Sequence, residues 1–319
     1  MGPVARLLAQ RISLGLLLLF LVSILIFLGT MVLPGDVAQQ ILGQSATPEA
    51  LANLRAELGV NDPPVARYFE WLGGLLTGDL GTALTSGQSI NEAIGRRLSN
   101  TLFLAFWAAL ITVPLAIFLG LLAVRYQERW PDKLISATTL TTISMPEFVL
   151  GYILMFFVGV RLGWLPPTAV GFRPDGDLLS RLESIALPVM VLTLVVLAHM
   201  MRMTRAAILN VMQSAYIETA ELKGLTTFTV IRRHAFPNAI SPVINVVMLN
   251  LAYLVVGVVV VEIVFNYPGM GQYLVDHVTK RDVPVVQACG IIFAAIYIGL
   301  NLTADVVSIL TNPRLRHPK

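Results

Sequence analysis

Long apolar stretches alternate with polar segments along the whole chain, and their lengths predict membrane-spanning helices. A helix needs about 20 mostly apolar residues to cross the hydrocarbon core of a bilayer. Six stretches reach or approach this length: 12–33, 101–124, 134–160, 185–201, 239–261 and 283–304. The first is too long for the apolar core of a cleaved signal peptide, which has about 7 to 15 residues. We therefore predict an all-α integral membrane protein with six transmembrane helices, the first an uncleaved anchor.

The longest polar segment, 35–100, carries two helical patterns of its own. An N-cap pair, Thr47-Pro48, and a stop at Gly59 predict a helix over 48–58. Beyond it, apolar and aromatic residues recur at helical spacing over 65–75. Such a segment needs a surface to lie on. It is either an amphipathic cap on the membrane or the helix bundle, or a docking surface for an extracytoplasmic partner.

The distribution of charge predicts which side each polar segment faces. Only 13% of the 319 residues are charged and 56% are hydrophobic, which excludes an ordinary soluble protein. With the N-terminus in the cytoplasm, the cytoplasmic segments hold 13 of the 22 Lys and Arg residues. This excess follows the positive-inside rule and predicts that both termini are cytoplasmic. Because the basic residues are scattered between apolar stretches, a nucleic-acid binder is excluded.

The polar segment between the fourth and fifth spans, 213–239, combines a helical stretch with basic residues beside the membrane. Ile217, Ala220 and Gly224 share one helical row, and charged residues lie elsewhere on the surface. From the residues alone, an ordinary interfacial helix with basic anchors explains this composition equally well.

This segment resembles the EAA loop of ABC-importer permeases, written E-A-A-x-x-x-G followed by nine residues and I-x-L-P. Glu218-Thr219-Ala220 stands three residues before Gly224, and nine more residues lead to 234-HAFP-237. Thr219 replaces the central alanine, and His234 and Phe236 replace Ile and Leu. Other runs look like the dipeptide/oligopeptide/nickel branch of these permeases, and within it the B-type subunit: 32-VLPGDVAQQILG-43, 72-LGGLLTGDLG-81, 262-EIVFNYPGMGQYLVDHVTKRDVPVVQ-287 and 312-NPRLR-316.

The resemblance implies a type I ABC importer with the MetI-like permease fold. Its parts would be this chain, a homologous permease, two cytoplasmic ABC ATPases and an extracytoplasmic solute-binding protein. Its expected cargo is peptides, with nickel complexes, glutathione or oligosaccharides as alternatives. The sequence contains no G-x-x-x-x-G-K-[ST] phosphate loop. ATP and Mg²⁺ are therefore expected on the ATPase subunits, and this chain is expected to be a transport subunit without a catalytic residue or bound cofactor.

In this family the EAA segment forms a short coupling helix that lies in a groove of the ATPase. Carried over to this chain, Glu218 would offer a carboxylate to the ATPase, Ala220 would permit its close approach, and Gly224 would form the exit turn. The predicted coupling residues are Glu218, Thr219, Ala220, Glu221, Leu222, Lys223 and Gly224.

The resemblance also predicts a division of the chain into four parts. They are an N-terminal transmembrane helix (1–34), a long extracytoplasmic loop with short helices (35–100), a permease core of five transmembrane helices (101–312, with the coupling loop at 213–237) and a cytoplasmic tail (313–319).

Three carboxylates lie in or beside the predicted spans, where a charge is costly and commonly functional. Glu262 follows the fifth span near the outer surface and Asp305 ends the sixth near the cytoplasm, so we predict that both are interfacial and do not pair. Glu147 lies about halfway through the third apolar stretch. Ser144 and Pro146 predict a new helix there, with a capping box that satisfies the carboxylate. Alternatively, Glu147 lines the substrate path.

Other chemistry has less support in the sequence. The histidines are far apart in sequence and Cys289 is the single cysteine, so no metal site is predicted. A membrane-embedded hydrolase would require a motif such as H-E-x-x-H or G-x-S-x-G, and neither occurs. A channel is disfavoured because no filter-like element repeats. A proton-coupled secondary transporter is the remaining alternative, since it could use carboxylates within the membrane.

Overall fold

The computed structural model describes residues 3–32, 37–57 and 62–311, in which all regular elements are helical apart from an isolated bridge between Thr82 and Ser89. The predicted stop at Gly59 and the predicted tail 313–319 lie outside the described residues. In chain order the helices are α1 (Pro3–Val32), α2 (Val37–Leu42), α3 (Pro48–Glu57), α4 (Pro64–Thr77), α5 (Ile90–Arg125), α6 (Trp130–Ser144), α7 (Glu147–Leu154), α8 (Leu178–Met212), α9 (Ala215–Leu222), α10 (Thr227–Val230), α11 (Phe236–Val256), α12 (Val259–Val264), α13 (Met270–Thr279) and α14 (Val283–Thr311).

Within these described ranges, five helical segments are long and apolar enough to cross a membrane, and a bent pair provides a sixth crossing if it counts as one span. The five are Arg6–Val32, Ile90–Arg125, Leu178–Met212, Thr227–Val264 and Val283–Val307. They coincide with the first, second, fourth, fifth and sixth predicted stretches. The all-α membrane architecture is therefore confirmed.

The third predicted span is not a straight helix. It is broken into α6 and α7, which meet at 103°. Met145 and Pro146 form the break, with extended ψ angles of 130° and 138°. The physical cause is the proline, whose ring disfavours the helical conformation at the preceding residue. The predicted start of a new helix at this point is confirmed.

The chain forms two compact units. The first comprises Met1–Gly15, Leu102–Tyr267 and Ile296–Lys319. Its core forms where α8 packs against α6, α7 and α11, and it includes the completely buried side chains of Leu192 and Met200. This unit contains the predicted coupling segment and all three carboxylates selected from the sequence.

The second unit comprises Leu16–Thr101 and Pro268–Ala295. In it α4 packs on α1 through its aromatic side chains: the hydroxyls of Tyr68 and Ser23 are 2.9 Å apart, and the rings of Tyr68 and Phe27 are 5.3 Å apart. Of the two interpretations of segment 35–100, this contact favours a cap on the helix bundle. The docking alternative remains a prediction.

A buried carboxylate holds the loop before α5 within this second unit. Asp282 is completely buried and accepts hydrogen bonds from the backbone N–H groups of Leu84 and Thr85, at 3.1 and 2.9 Å, and from the Thr85 hydroxyl at 2.7 Å. Three donors on one carboxylate fix the loop against the residue that precedes α14.

Candidate functional site

The predicted coupling segment folds as the short helix α9 followed by a tight turn. The carbonyl of Ser214 accepts hydrogen bonds from the N–H groups of Ile217 and Glu218, at 2.9 and 3.3 Å, which starts the helix. Gly224 has φ +80°, a left-handed conformation that favours glycine. Its N–H donates to the carbonyl of Glu221 at 2.8 Å. The predicted helix and its glycine turn are therefore confirmed.

One face of α9 is buried inside this chain. Ile217 is completely buried and Ala220 is 6% exposed, and both belong to an apolar cluster with Ile208, Val230 and Val243. The predicted role of Ala220 is corrected by this packing. Its small side chain permits a close approach, but the neighbour is the core of its own chain and not another protein.

The opposite face of α9 and its exit turn are open. The other predicted coupling residues, Glu218, Thr219, Glu221, Leu222, Lys223 and Gly224, are all exposed. Leu222 is 82% exposed, and Tyr216 and Phe228 beside the segment are 46% and 49% exposed. Large apolar side chains grouped with carboxylates on an open face are typical of a protein docking surface.

Phe228 lies near two arginine side chains, a contact that no pattern in the sequence indicated. The guanidinium carbons of Arg125 and Arg232 are 5.1 and 6.0 Å from the centre of its ring. These are cation–π distances. They connect the end of α5 to α10, the short helix that follows α9.

A buried ion pair, also missed in the sequence, joins α6 to α8. Arg205 donates from Nε and Nη2 to the two carboxylate oxygens of Asp132, at 3.0 and 2.8 Å. The backbone N–H of Glu128 donates to the same carboxylate at 3.0 Å. Asp132 is 4% exposed. Since Arg205 lies on α8, the pair fixes the first turn of α6 to the helix that directly precedes the coupling segment.

Glu147 is the first residue of α7, immediately after the break. Its Oε1 accepts a hydrogen bond from the Tyr253 hydroxyl at 3.3 Å, and its Oε2 is buried without a hydrogen-bond partner among the described residues. The predicted capping box is wrong. Ser144 is the last residue of α6 and donates its hydroxyl to the Leu140 carbonyl of that helix, at 2.8 Å, and Pro146 precedes the first turn of α7.

The other two carboxylates have different surroundings. Glu262 is completely buried, and Asp305 pairs with Arg11, with 3.1 Å between Oδ2 and Nη1. Burial and the negative charge of Glu262 raise the pKa of Tyr267, and the positive charge of Arg181 opposes this shift. The interfacial depth of both carboxylates remains a prediction. Within the part of the chain that the structure describes, no three His, Cys, Asp or Glu side chains are grouped so that they could hold a metal ion.

Family models match nearly the whole chain. Residues 112–317 match the model described as binding-protein-dependent transport system inner membrane component. Residues 4–105 match the model for the N-terminal part of binding-protein-dependent transport system membrane components. The match includes the coupling segment, Asp132 and the three carboxylates.

Several known proteins are similar to this chain. A protein of Brucella abortus (strain 2308), provisionally named a peptide transport system permease protein, is 35% identical over 312 residues, which are 98% of this chain and 99% of that protein. The glutathione transport system permease protein GsiC of Salmonella typhimurium (strain LT2) is 35% identical over 299 residues, 94% of this chain and 95% of its own length. A structure of the MetNI methionine ABC transporter in an inward-facing conformation has a TM-score of 0.49 at 17% identity, covering 69% of this chain and 95% of its own. This chain belongs to the family of binding-protein-dependent transport system inner membrane components, and it is a multi-pass permease component of that family.

Proposed function

We propose that this chain is a permease subunit of an ATP-driven ABC importer that takes up peptides delivered by a solute-binding protein. The observation that carries this proposal is the 35% identity, over 98% of the chain, to a relative named for peptide transport. Glutathione is the second candidate cargo, because relatives named for glutathione transport reach the same identity. Nickel complexes and oligosaccharides remain alternatives implied by the resemblance.

The open face of α9 supports a coupling role in this proposal. Its exposed apolar and acidic residues would lie in a groove of a cytoplasmic ATPase. Six crossings would then put both chain termini in the cytoplasm as well. ATP and Mg²⁺ would bind to two such ATPases, and a homologous permease would complete the passage as a heterodimer. Because α9 follows α8 directly and Arg205 holds Asp132, movement of α9 would be transmitted to α6 and the break before Glu147.

ATP-dependent uptake in proteoliposomes tests the proposal. The chain would be reconstituted with the partner permease, the ATPases and the binding protein of the same importer. We expect uptake of labelled trialanine that requires ATP and the binding protein and that vanadate abolishes. Uptake that proceeds without ATP and follows an imposed proton gradient would instead establish the secondary-transporter alternative.

The cargo can be tested separately on the binding protein. Thermal unfolding would be measured with trialanine, glutathione, nickel chelates and oligosaccharides. We expect trialanine to raise the unfolding temperature, since a ligand that binds the native state stabilises it. A shift with an oligosaccharide alone would contradict the peptide assignment and leave the importer assignment intact.

A further inference from the structure

Glu147 carries a carboxylate within an apolar stretch, where such a group requires a polar or charged partner. It follows a 103° break between two helices that together are long and apolar enough for one membrane span. Discontinuous helices of this kind often form the substrate sites of transporters. An ionised group at membrane depth is costly unless it faces water or a partner. The half-buried Glu147 therefore faces something other than lipid.

The described residues supply this carboxylate with a hydroxyl but with no cation. Tyr253 donates to Oε1, and Oε2 is left without a partner. The ion pairs recorded among described residues join Arg11 to Asp305 and Arg205 to Asp132. The remaining oxygen is thus a buried acceptor that lacks a donor among the described residues.

Tyr253 on α11 forms the second wall of the site, and Gly257 lies next to its ring. A Cβ on Gly257 would lie 3.0 Å from the ring carbon that carries the Tyr253 hydroxyl. Glycine at this position therefore leaves room for the tyrosine ring. Tyr253 is 43% exposed and Glu147 is half-buried, so the pair lies at the edge of the protein surface.

We propose that Glu147 and Tyr253 form a binding position for a primary ammonium group of the transported cargo. An ammonium has three N–H donors and can contact Oε2 of Glu147 and the Tyr253 hydroxyl together. This inference rests on the proposed function for the identity of the cargo. Peptides and glutathione carry an α-ammonium group and oligosaccharides do not, so the site favours the first two.

A cysteine beside the site tests its charge preference directly. Phe148 is adjacent to Glu147 and 48% exposed, so Phe148→Cys leaves both site residues in place. The native Cys289 would be replaced by alanine. In the assembled importer we expect a cationic methanethiosulfonate to react about tenfold faster than an anionic one, after correction for their reactivity with a free thiol. Adding Glu147→Gln is expected to remove this difference.

Protection by cargo analogues tests the ligand class. Trialanine amide, which carries one ammonium group, is expected to slow modification of the Phe148→Cys importer, whereas its N-acetylated form is not. Leu25→Cys on α1, 66% exposed in an apolar span, is the control and is expected to react slowly with both reagents. Leu249→Cys, 48% exposed and one turn before Tyr253 on α11, is the second reporter if Phe148→Cys does not assemble.

Several results would overturn the inference. They are equal rates with both reagents, no reaction at either reporter, equal protection by the acetylated peptide, or full trialanine uptake by the Glu147→Gln importer. If the unmodified importer takes up trialanine and one of these results appears, only the ammonium site fails. If it takes up no peptide at all, the proposed function fails first.

Discussion

At Gly224 the backbone, and not the surrounding space, decides which residue is tolerated. A Cβ there would meet no atom within 4 Å, but φ is +80°. Gly224→Val is expected to strain the turn by about 1 to 2 kcal/mol, because L-residues with a branched side chain avoid this region. We expect the importer to assemble but to lose most of the ATP hydrolysis that the loaded binding protein stimulates.

Asparagine at the same position is the matched control, since it enters the left-handed region more readily than valine. Gly224→Asn is expected to keep more of the stimulated hydrolysis. Equal activity of the two variants would show that the left-handed turn is not required for coupling.

Leu222 provides a second test on the open face of α9. Its side chain is 82% exposed, so Leu222→Asp should hardly change the thermal stability of this chain. It should weaken ATPase binding, because a buried interface would then have to desolvate a carboxylate. Leu76 on α4 is 80% exposed and makes Leu76→Asp a matched control. Retention of the ATPase during purification is the measurement, and equal retention by both variants would contradict the docking surface.

Between elements, the Asp132–Arg205 pair is the strongest polar connection described in the first unit. Asp132→Ala would leave the arginine without its carboxylate and is expected to cost about 2 to 4 kcal/mol, slightly less than the loss of a fully buried pair because Arg205 is partly exposed. Thermal unfolding of the purified permease is the measurement. Lys133→Ala, at the exposed neighbouring position, should change stability little. Similar losses in both variants would show that the pair does not stabilise the fold.

The sequence predicted elements whose signals are local. Apolar stretches placed the spans, and proline and glycine placed the break at Met145 and the turn at Gly224. Contacts between distant residues were missed: Asp132 and Arg205 are 73 positions apart, and Glu147 and Tyr253 are 106 apart. The burial of Ala220 was missed for the same reason, since a row of residues on one side of a helix does not show whether that side packs on its own chain or on another protein.

Contacts between the first and last long helices, α1 and α14, constrain the membrane topology. Arg11, near the start of α1, pairs with Asp305, near the end of α14. At the other ends of the same helices, the Gln287 amide donates to the Thr30 hydroxyl at 2.8 Å. The two helices are therefore antiparallel, so the start of α1 and the end of α14 lie on the same side of the membrane. Five straight spans alone would put these two ends on opposite sides, so we predict that the bent pair α6–α7 crosses the membrane instead of returning to the side from which it enters.

The side on which α9 lies depends on this crossing. If α6–α7 crosses, the loop that contains Trp164 is outside and α9 is inside, where an ATPase can reach it. If the pair returns, both positions are reversed and the coupling proposal fails. Trp164→Cys and Leu222→Cys, each with Cys289→Ala, distinguish these topologies because both positions are more than 70% exposed. In right-side-out vesicles, a membrane-impermeant maleimide is expected to label the first variant and not the second.

Ser86→Cys is the control for this labelling experiment, because Ser86 is exposed, precedes α5 and, with the predicted cytoplasmic N-terminus, is expected outside in either topology. Permeabilised vesicles should label all three variants. Labelling of the Leu222→Cys variant in intact vesicles would place α9 outside, and its open face would then have to serve an external partner. Labelling of the Trp164→Cys variant but not of the Leu222→Cys variant would give six crossings, so that the break at Met145 and Pro146 and the adjacent Glu147 lie within a span.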